Sequence, residues 1–456
     1  MNSALENLFA AVGTIRDTAS TVIPNTAKWV SDEAAKKWKK IEKFQGHLDK
    51  DGNGYLIQSA HEAAELLDAT RQLKEFPGTQ MIHTLEKSLF TQLFSEFDSF
   101  TGTLLAAIYT SKSDLLKSIS REVSFADLLQ FENLDAVKLN MLEKEIETFR
   151  RDSYVEQFAS LEKKFGLKLR EFREWGEFVE LSQRRNLLTH CGGKVSEQYL
   201  LICEREGCRF EKRPVLGEVL RVDAKYFYRA TRLIMKVGFM LTHTLWRKLF
   251  PNEVELQSRA MSDAIYSVLQ QKRWRLAAEL AEFSLTDAMR KNVQEIHLRV
   301  RVVNAAIALK FSDRNEEALR LLDSMDWSAS YRDFKLAIAV MNDDFDGAAD
   351  IMRQIGKNGE LVNELNYHEW PLFHKFRESE QFQGAYKDIY DISFSSKVVE
   401  DSQAAKPVIE DVKIRRKPRA KVVAGPTEIT DERSAKVKIG KPAPRRPIAR
   451  PHEKPG

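Results

Sequence analysis

The sequence lacks the long apolar runs that membrane proteins contain. No stretch approaches the roughly 18 consecutive apolar residues of a transmembrane helix, and the N-terminus has neither the cationic start nor the apolar stretch of a signal peptide. Only three cysteines occur among 456 residues, which argues against a disulfide framework and for a reducing compartment. We therefore expect a cytoplasmic protein that does not enter a membrane.

Several common catalytic and metal-binding signatures are missing too. We find no Gly-rich phosphate loop, no serine or cysteine triad and no metal-binding pair of histidines on one helix. Cys203 and Cys208 lack the second pair that a zinc site needs. Residues 49–54 follow the first half of a calcium loop, but Ala60 stands where a bidentate glutamate would close the shell. We expect a turn there, and neither a metal nor a cofactor in the protein.

Charge is distributed unevenly along the chain. The net charge is +4, but from Lys406 onward 15 Lys and Arg stand against 6 Asp and Glu, which leaves residues 1–405 with a net charge of −5. Residues 397–456 hold eight of the 13 prolines, and no aromatic residue follows Phe394. Such a segment cannot bury enough apolar surface to offset the entropy of ordering. We expect a disordered basic tail that either contacts nucleic-acid phosphates or only improves solubility.

Apolar residues recur mostly at helical spacing, which predicts an all-α fold. An N-terminal helix is indicated by Leu5, Leu8, Val12 and Ile15, and Pro24 should end it. A long buried helix is indicated by the aromatic stripe at Phe90, Leu93, Phe94, Phe97, Leu104 and Ile108. Residues 167–189 should form a further helix. Residues 199–203 are the exception, because they have the composition of a short strand.

A faint repeat runs through residues 252–392. Three five-residue segments begin at Ala277, Ala318 and Ala348, at offsets of 41 and 30 residues. Each has a small residue, then a small or apolar residue, then a polar residue and finally two apolar residues. The pattern is similar to a degenerate form of the tetratricopeptide-like repeats, in which a small residue lets neighbouring helices approach closely. The resemblance implies a surface for a protein partner, and a purely structural helical cap is the alternative.

The segment from Trp175 to Gly193 carries the most informative pattern. On an ideal helix of about 100° per residue, Trp175, Phe178, Val179 and Ser182 share one face with Arg185, Asn186, Thr189 and His190, within an arc of roughly 140°. An apolar stripe thus becomes polar without leaving its face. Gly192 and Gly193 should end the helix there. Arg184 points to the opposite side.

The spacing Arg185-Asn186-x-x-x-His190, with an aromatic helix before it and a Gly-Gly turn after it, resembles the signature of the HEPN superfamily over about residues 79–250. The resemblance implies an all-α bundle that pairs with a second copy to form an RNA-cutting cleft. The expected organisation is an accessory helical region at 1–78, the HEPN-like domain at 79–250, the repeats at 252–392 and the tail at 397–456.

The residue types fit that chemistry independently. Attack by a ribose 2′-hydroxyl needs a group that moves protons near neutral pH, a role that His190 could fill. It also needs a fixed positive charge next to the phosphoryl oxygens, which Arg185 could supply. Asn186 would orient the phosphate or His190. The leading hypothesis is a metal-independent endoribonuclease of a bacterial defence or toxin-like type, acting on RNA as a homodimer. The alternatives are a non-catalytic helical scaffold and a HEPN protein that partners a nucleotidyltransferase.

Overall fold

The computed structural model describes residues 1–44, 59–119 and 122–395. These residues form 18 α-helices and no β-strand, which confirms the all-α class. They belong to one compact unit. The predictions for the turn at residues 49–54 and for the tail at 397–456 lie outside the described residues.

The first half of the chain contains nine helices in its described part. Their bounds are α1 (Asn2–Glu42), α2 (Ala60–Lys74), α3 (Gly78–Ser111), α4 (Phe125–Leu128), α5 (Leu134–Arg151), α6 (Tyr154–Phe165), α7 (Trp175–His190), α8 (Glu197–Arg205) and α9 (Ala224–Leu249). A 3₁₀ helix at Ser113–Ser118 follows α3.

The second half contains nine helices among its described residues. They are α10 (Val254–Gln270), α11 (Trp274–Ser284), α12 (Asp287–Arg290), α13 (Glu295–Lys310), α14 (Asn315–Asp323), α15 (Arg332–Met341), α16 (Phe345–Ile355), α17 (Glu364–Glu369) and α18 (Glu380–Tyr390). Two 3₁₀ turns, Pro371–Phe373 and Phe376–Glu378, precede α18. No helix in the described part of the chain is both long enough and apolar enough to cross a membrane.

Helix α3 is the centre of the first half. Its predicted aromatic stripe is buried, with Phe90, Leu93, Phe94 and Phe97 all at 0% exposure. The helix packs against α1, α5, α7 and α9. This arrangement places α7, which carries the Arg-Asn-x-x-x-His segment, directly against the main core.

The prediction that Pro24 ends the first helix is wrong, because α1 continues through it to Glu42. A proline inside a helix removes one backbone hydrogen bond. Packing on both sides of it offsets that loss: residues such as Leu8 and Val12 are buried against α3 and α9, and Ile41 is buried against α2. Tertiary contacts therefore outweigh the local preference.

Two further local predictions need correction. Residues 199–203 lie in α8 instead of a strand, because Ser196 accepts a hydrogen bond from the Tyr199 backbone N–H and caps a helix that buries Tyr199 and Cys203 on one face. Helix α7 begins at Trp175 and not at residue 167. The Glu162 carboxylate accepts hydrogen bonds from the backbone N–H groups of Leu169 and Arg170, which hold this segment out of a helix.

The three alanine segments of the second half occupy equivalent places. Lys272, Asp313 and Asp343 each adopt a left-handed conformation in the turn between two helices. Each turn lies five residues before one of the repeated alanines, and Ala277, Ala318 and Ala348 are all 0% exposed. The pairs α10–α11, α13–α14 and α15–α16 therefore share one turn geometry and one close helix contact.

Candidate functional site

The candidate site lies at the C-terminal end of α7, where burial decreases along one helix face. Trp175, Phe178 and Ser182 are buried, Arg185 is half-buried, and His190 is exposed. Aromatic rings hold the buried end, since the Phe178 ring lies 5.3 Å from that of Phe97 on α3. The predicted change from an apolar to a polar face is confirmed, and it brings the polar residues to the surface beside α3.

Two glycines end the helix as the sequence predicts. Gly192 and Gly193 have φ values of 59° and 82°, and the Gly193 N–H donates to the Leu187 carbonyl at 2.9 Å. A Cβ atom on Gly193 would lie 2.7 Å from the Leu220 carbonyl oxygen, whereas one on Gly192 would meet nothing within 4 Å. Gly193 is thus required both for its conformation and for close approach of the segment before α9.

The Arg185 guanidinium lies between two polar groups. Its Nη1 donates to Asn186 Oδ1 at 3.2 Å, and its Nη2 is 4.0 Å from Asp98 Oδ2 on α3. Its Nε is buried and has no hydrogen-bond partner among the described residues. Arg185 is therefore held by a loose ion pair and retains unused donor capacity.

Asp98 and Tyr154 form the wall behind Arg185. The Tyr154 hydroxyl donates to Asp98 Oδ1 at 2.6 Å. Burial raises the pKa of the Asp98 carboxyl, opposed by the Tyr154 hydrogen bond and by the charges of Arg185 and Arg150. Burial and the Asp98 charge raise the pKa of Tyr154 well above its usual value. Tyr154 therefore stays a hydrogen-bond donor, and Asp98 competes with any anion that approaches Arg185.

His190 stands free at the end of the helix. Its side chain is exposed, and no hydrogen bond or ion pair joins it to any residue that the structure describes. It follows Asn186 by four residues, a spacing at which side chains are neighbours on a helix surface. The imidazole is accessible to a substrate or to a second protein chain.

Arg184 has a different environment from Arg185. It donates to the buried Glu180 carboxylate at 2.8 Å and to the Arg221 carbonyl at 3.1 Å. The same carboxylate accepts from the hydroxyls of Tyr199, at 2.9 Å, and Tyr226, at 2.6 Å. The inference that Arg184 points away from the candidate site is confirmed, and the Glu180 carboxylate ties α7 to α8 and α9.

Asp98, Tyr154 and Glu180 were not identified from the sequence. Asp98 follows Phe94 by four residues, so an acidic residue beside an aromatic stripe was the available signal. That signal does not reveal which cation Asp98 contacts, because Arg185 lies 87 positions further along the chain. Nothing in the local sequence marks Glu180 as buried, yet the residue is 3% exposed.

The arrangement provides one accessible proton-transfer group and one guanidinium with free donors. Such a pair can bind a phosphate and move a proton near it. Within the described ranges, no group of three or more His, Cys, Asp or Glu side chains is placed to hold a metal ion. Comparisons with protein-family models, with curated proteins and with solved structures found no match.

Proposed function

We propose that the protein is a metal-independent endoribonuclease whose active site contains Arg185, Asn186 and His190. The observation that carries the proposal is the end of α7, where an accessible imidazole follows a half-buried guanidinium on one helix face. The HEPN resemblance supports the same assignment. A bacterial defence or toxin-like role is part of this proposal.

The reaction follows from the chemistry of these groups. His190 removes the proton from a ribose 2′-hydroxyl, whose oxygen forms a bond to the adjacent phosphorus as the bond to the 5′-oxygen breaks. The products are a 2′,3′-cyclic phosphate and a 5′-hydroxyl. The leaving 5′-oxygen takes its proton from the imidazolium of His190 in the second copy. Arg185 stabilises the negative charge on the non-bridging oxygens, and Asn186 orients the phosphate or His190.

Arg185 can bind a phosphate without losing a close ion-pair partner. Its Nη2 is 4.0 Å from the Asp98 carboxylate, which is beyond hydrogen-bond distance. A phosphate can therefore use the free Nη donors without first breaking a close ion pair. The Asp98 charge opposes binding, because two anions would then share one guanidinium.

Pairing with a second copy is part of the proposal. Apolar side chains are exposed next to the end of α7: Val215 is 64%, Leu216 59% and Val219 50% exposed. Val219 pairs with Lys194 in an isolated bridge directly after the Gly-Gly turn. Burial of these side chains against their symmetry-related counterparts would bring two His190 residues to one interface.

A non-catalytic scaffold is the second candidate function. The observation in its favour is the engagement of Arg185 by Asp98 and Asn186, which is also what a purely structural arginine would show. In this alternative the helices between residues 252 and 392 carry the interactions with a protein partner.

The decisive experiment measures cleavage of total RNA with a metal chelator present throughout. We expect the wild-type protein to cut RNA, and His190→Ala and Arg185→Ala to abolish cutting with unchanged helicity by circular dichroism. Thr189→Ala is the matched control, because Thr189 is exposed on the same turn and its hydroxyl bonds, among the described residues, only to the Arg185 carbonyl.

Three results would separate the candidates. RNA left intact by the wild-type protein would contradict the proposal, as would equal cutting by all three variants. Binding of a protein partner that requires residues 252–392 but tolerates both substitutions would identify the scaffold.

The substitution Val219→Glu tests pairing with a second copy. We expect light scattering to show that this variant is a monomer, and we expect it no longer to cut RNA.

A further inference from the structure

A large basic groove lies beside the start of α7, and Arg185 does not line it. It is about 1040 Å³ in volume, and it lies between the start of α7, α9, α11 and the turn before α14. This volume is at the upper end of the range of about 300–1,000 Å³ for small-ligand pockets. Ten Lys or Arg and five Glu side chains line it, an excess of five positive charges. That excess contrasts with the net charge of −5 carried by residues 1–405.

The acidic side chains of the groove do not neutralise this excess. Arg232 pairs with Glu279 at 3.1 Å, Lys236 with Glu174 at 2.7 Å and Arg314 with Glu282 at 3.0 Å. Four other cations of the groove, Arg173, Lys225, Lys272 and Arg273, have no ion pair with any residue in the described part of the chain. These four charges are available to an external anion.

The cations are also close enough to disfavour one another. Burial, with the nearby charge of Arg16, lowers the pKa of Arg273 to about 10. Arg273 Nη1 is buried and has no hydrogen-bond partner among the described residues. Burial lowers the pKa of Arg232 as well, and the charges of Arg275 and Arg229 add to that effect despite the ion pair with Glu279. A bound anion would relieve this repulsion.

Aromatic rings accompany the charges. The rings of Trp274 and Phe311, both half-buried, stack at 4.7 Å with an interplanar angle of 23°. Tyr228 is 37% exposed, and the Arg16 guanidinium lies 5.9 Å from its ring centroid. Cations that follow a backbone, together with rings on which bases stack, are the two elements of single-strand recognition.

We propose that this basic groove binds single-stranded nucleic acid through its phosphodiester backbone, with bases stacked on Trp274 and Tyr228. A chain of phosphates fits the groove better than one small anion, because its ten cations come from five separate segments of the chain and line a volume of about 1040 Å³. An acidic protein segment would use the cations but gain nothing from the rings. The proposal goes beyond the cleavage site, and the groove would hold a strand whether or not the protein cuts it.

The test uses the full-length protein and a fluorescein-labelled 2′-O-methyl oligonucleotide rich in uridine. This strand has no free 2′-hydroxyl, so its binding is measured by anisotropy independently of cleavage. The variant replaces Arg173, Lys225 and Lys272, all exposed, with glutamine. The control replaces Lys163 and Lys335 with glutamine, because both are exposed and lie outside the groove.

We expect the groove variant to bind at least about tenfold more weakly than the wild type at about 150 mM salt. The slope of log affinity against log salt should fall by about 0.7 for each lost phosphate contact, hence by about 2. The control should bind like the wild type. Because the basic tail is present in every protein, its contribution cancels.

Three results would overturn the proposal. One is equal affinity and equal salt slope for the groove variant and the wild type. Another is an equal loss in the control variant, which would indicate general surface charge. The third is competition by polyglutamate as effective as competition by the oligonucleotide, which would indicate an acidic protein ligand. Trp274→Leu, checked for folding by thermal melting, should weaken oligonucleotide binding several-fold and leave polyglutamate binding unchanged.

Discussion

His243, on α9, should make the stability of the fold sensitive to acid. It is 0% exposed, between the rings of Phe239 at 4.5 Å and Trp246 at 6.2 Å. Neither ring nitrogen has a hydrogen-bond partner among the residues that the structure describes. Burial, with the charges of Arg301 and Arg247, lowers the pKa of His243 from 6.5 to about 3. The residue is therefore neutral in the folded protein.

The sign and size of the effect follow from this shift. Below a pH of about 6.5 the unfolded chain binds a proton at this position and the folded chain does not, so the free energy of unfolding falls as the pH falls toward about 3. Each pH unit well inside this window costs about 1.4 kcal/mol. Between pH 7 and pH 5 the contribution of His243 is about 2 kcal/mol.

Urea unfolding of wild type and His243→Phe at pH 7, 6 and 5 measures this contribution. All other titrating groups are shared, so we expect the variant to lose about 2 kcal/mol less than the wild type over this range. Phenylalanine also removes two buried nitrogens that lack partners, so the variant should fold at pH 7. Parallel pH dependence in the two proteins would refute the assignment of His243 as a neutral buried group.

Three further substitutions test the surroundings of the candidate site. Gly193→Ala should lower the free energy of unfolding by about 1–3 kcal/mol more than Gly192→Ala in urea titrations. Both glycines have positive φ, but only a Gly193 Cβ meets the Leu220 carbonyl oxygen. Glu180→Gln should cost about 2–4 kcal/mol by the same measurement, because Glu180 is buried and accepts from two tyrosines and an arginine. Asp98→Asn should lower the KM for RNA cleavage about two- to fivefold in steady-state assays, because it removes the negative charge beside Arg185, the residue proposed to bind phosphate.

Each of these has a clear contrary outcome. Equal costs for the two glycine variants would show that the close approach at Gly193 is unimportant. A neutral Glu180→Gln would mean that charge does not hold α7 to α8 and α9. A higher KM in Asp98→Asn would indicate that Asp98 positions Arg185 and does not compete with phosphate.

The polar end of α7 was predictable because its determinants are local. The face shared by Phe178, Arg185 and His190 follows from helix periodicity, and the end of the helix follows from two adjacent glycines. Whether Arg185 or Arg184 faces the candidate site also follows from periodicity. The structure gives them the different environments that their spacing predicts.

The surroundings of that end depend on tertiary packing and were not predictable. Asp98 reaches Arg185 only because α3 packs against α7. The basic groove has no local signal either, because its cations come from segments as distant as Arg173 and Arg273 within an acidic body. The errors at Pro24 and at residues 199–203 have the same origin, since packing or a capping serine outweighed composition.

The most direct test of the central proposal concerns the atom that attacks the phosphate. A short RNA cut by the wild-type protein in the presence of a chelator would be sequenced to locate the cleaved bond, then resynthesised with one 2′-O-methyl group at that nucleotide. We predict that the modified strand stays intact and that the unmodified one ends in a 2′,3′-cyclic phosphate that His190→Ala does not produce. Cleavage of the modified strand at the same bond, or the same cyclic end produced by His190→Ala, would contradict the proposed mechanism.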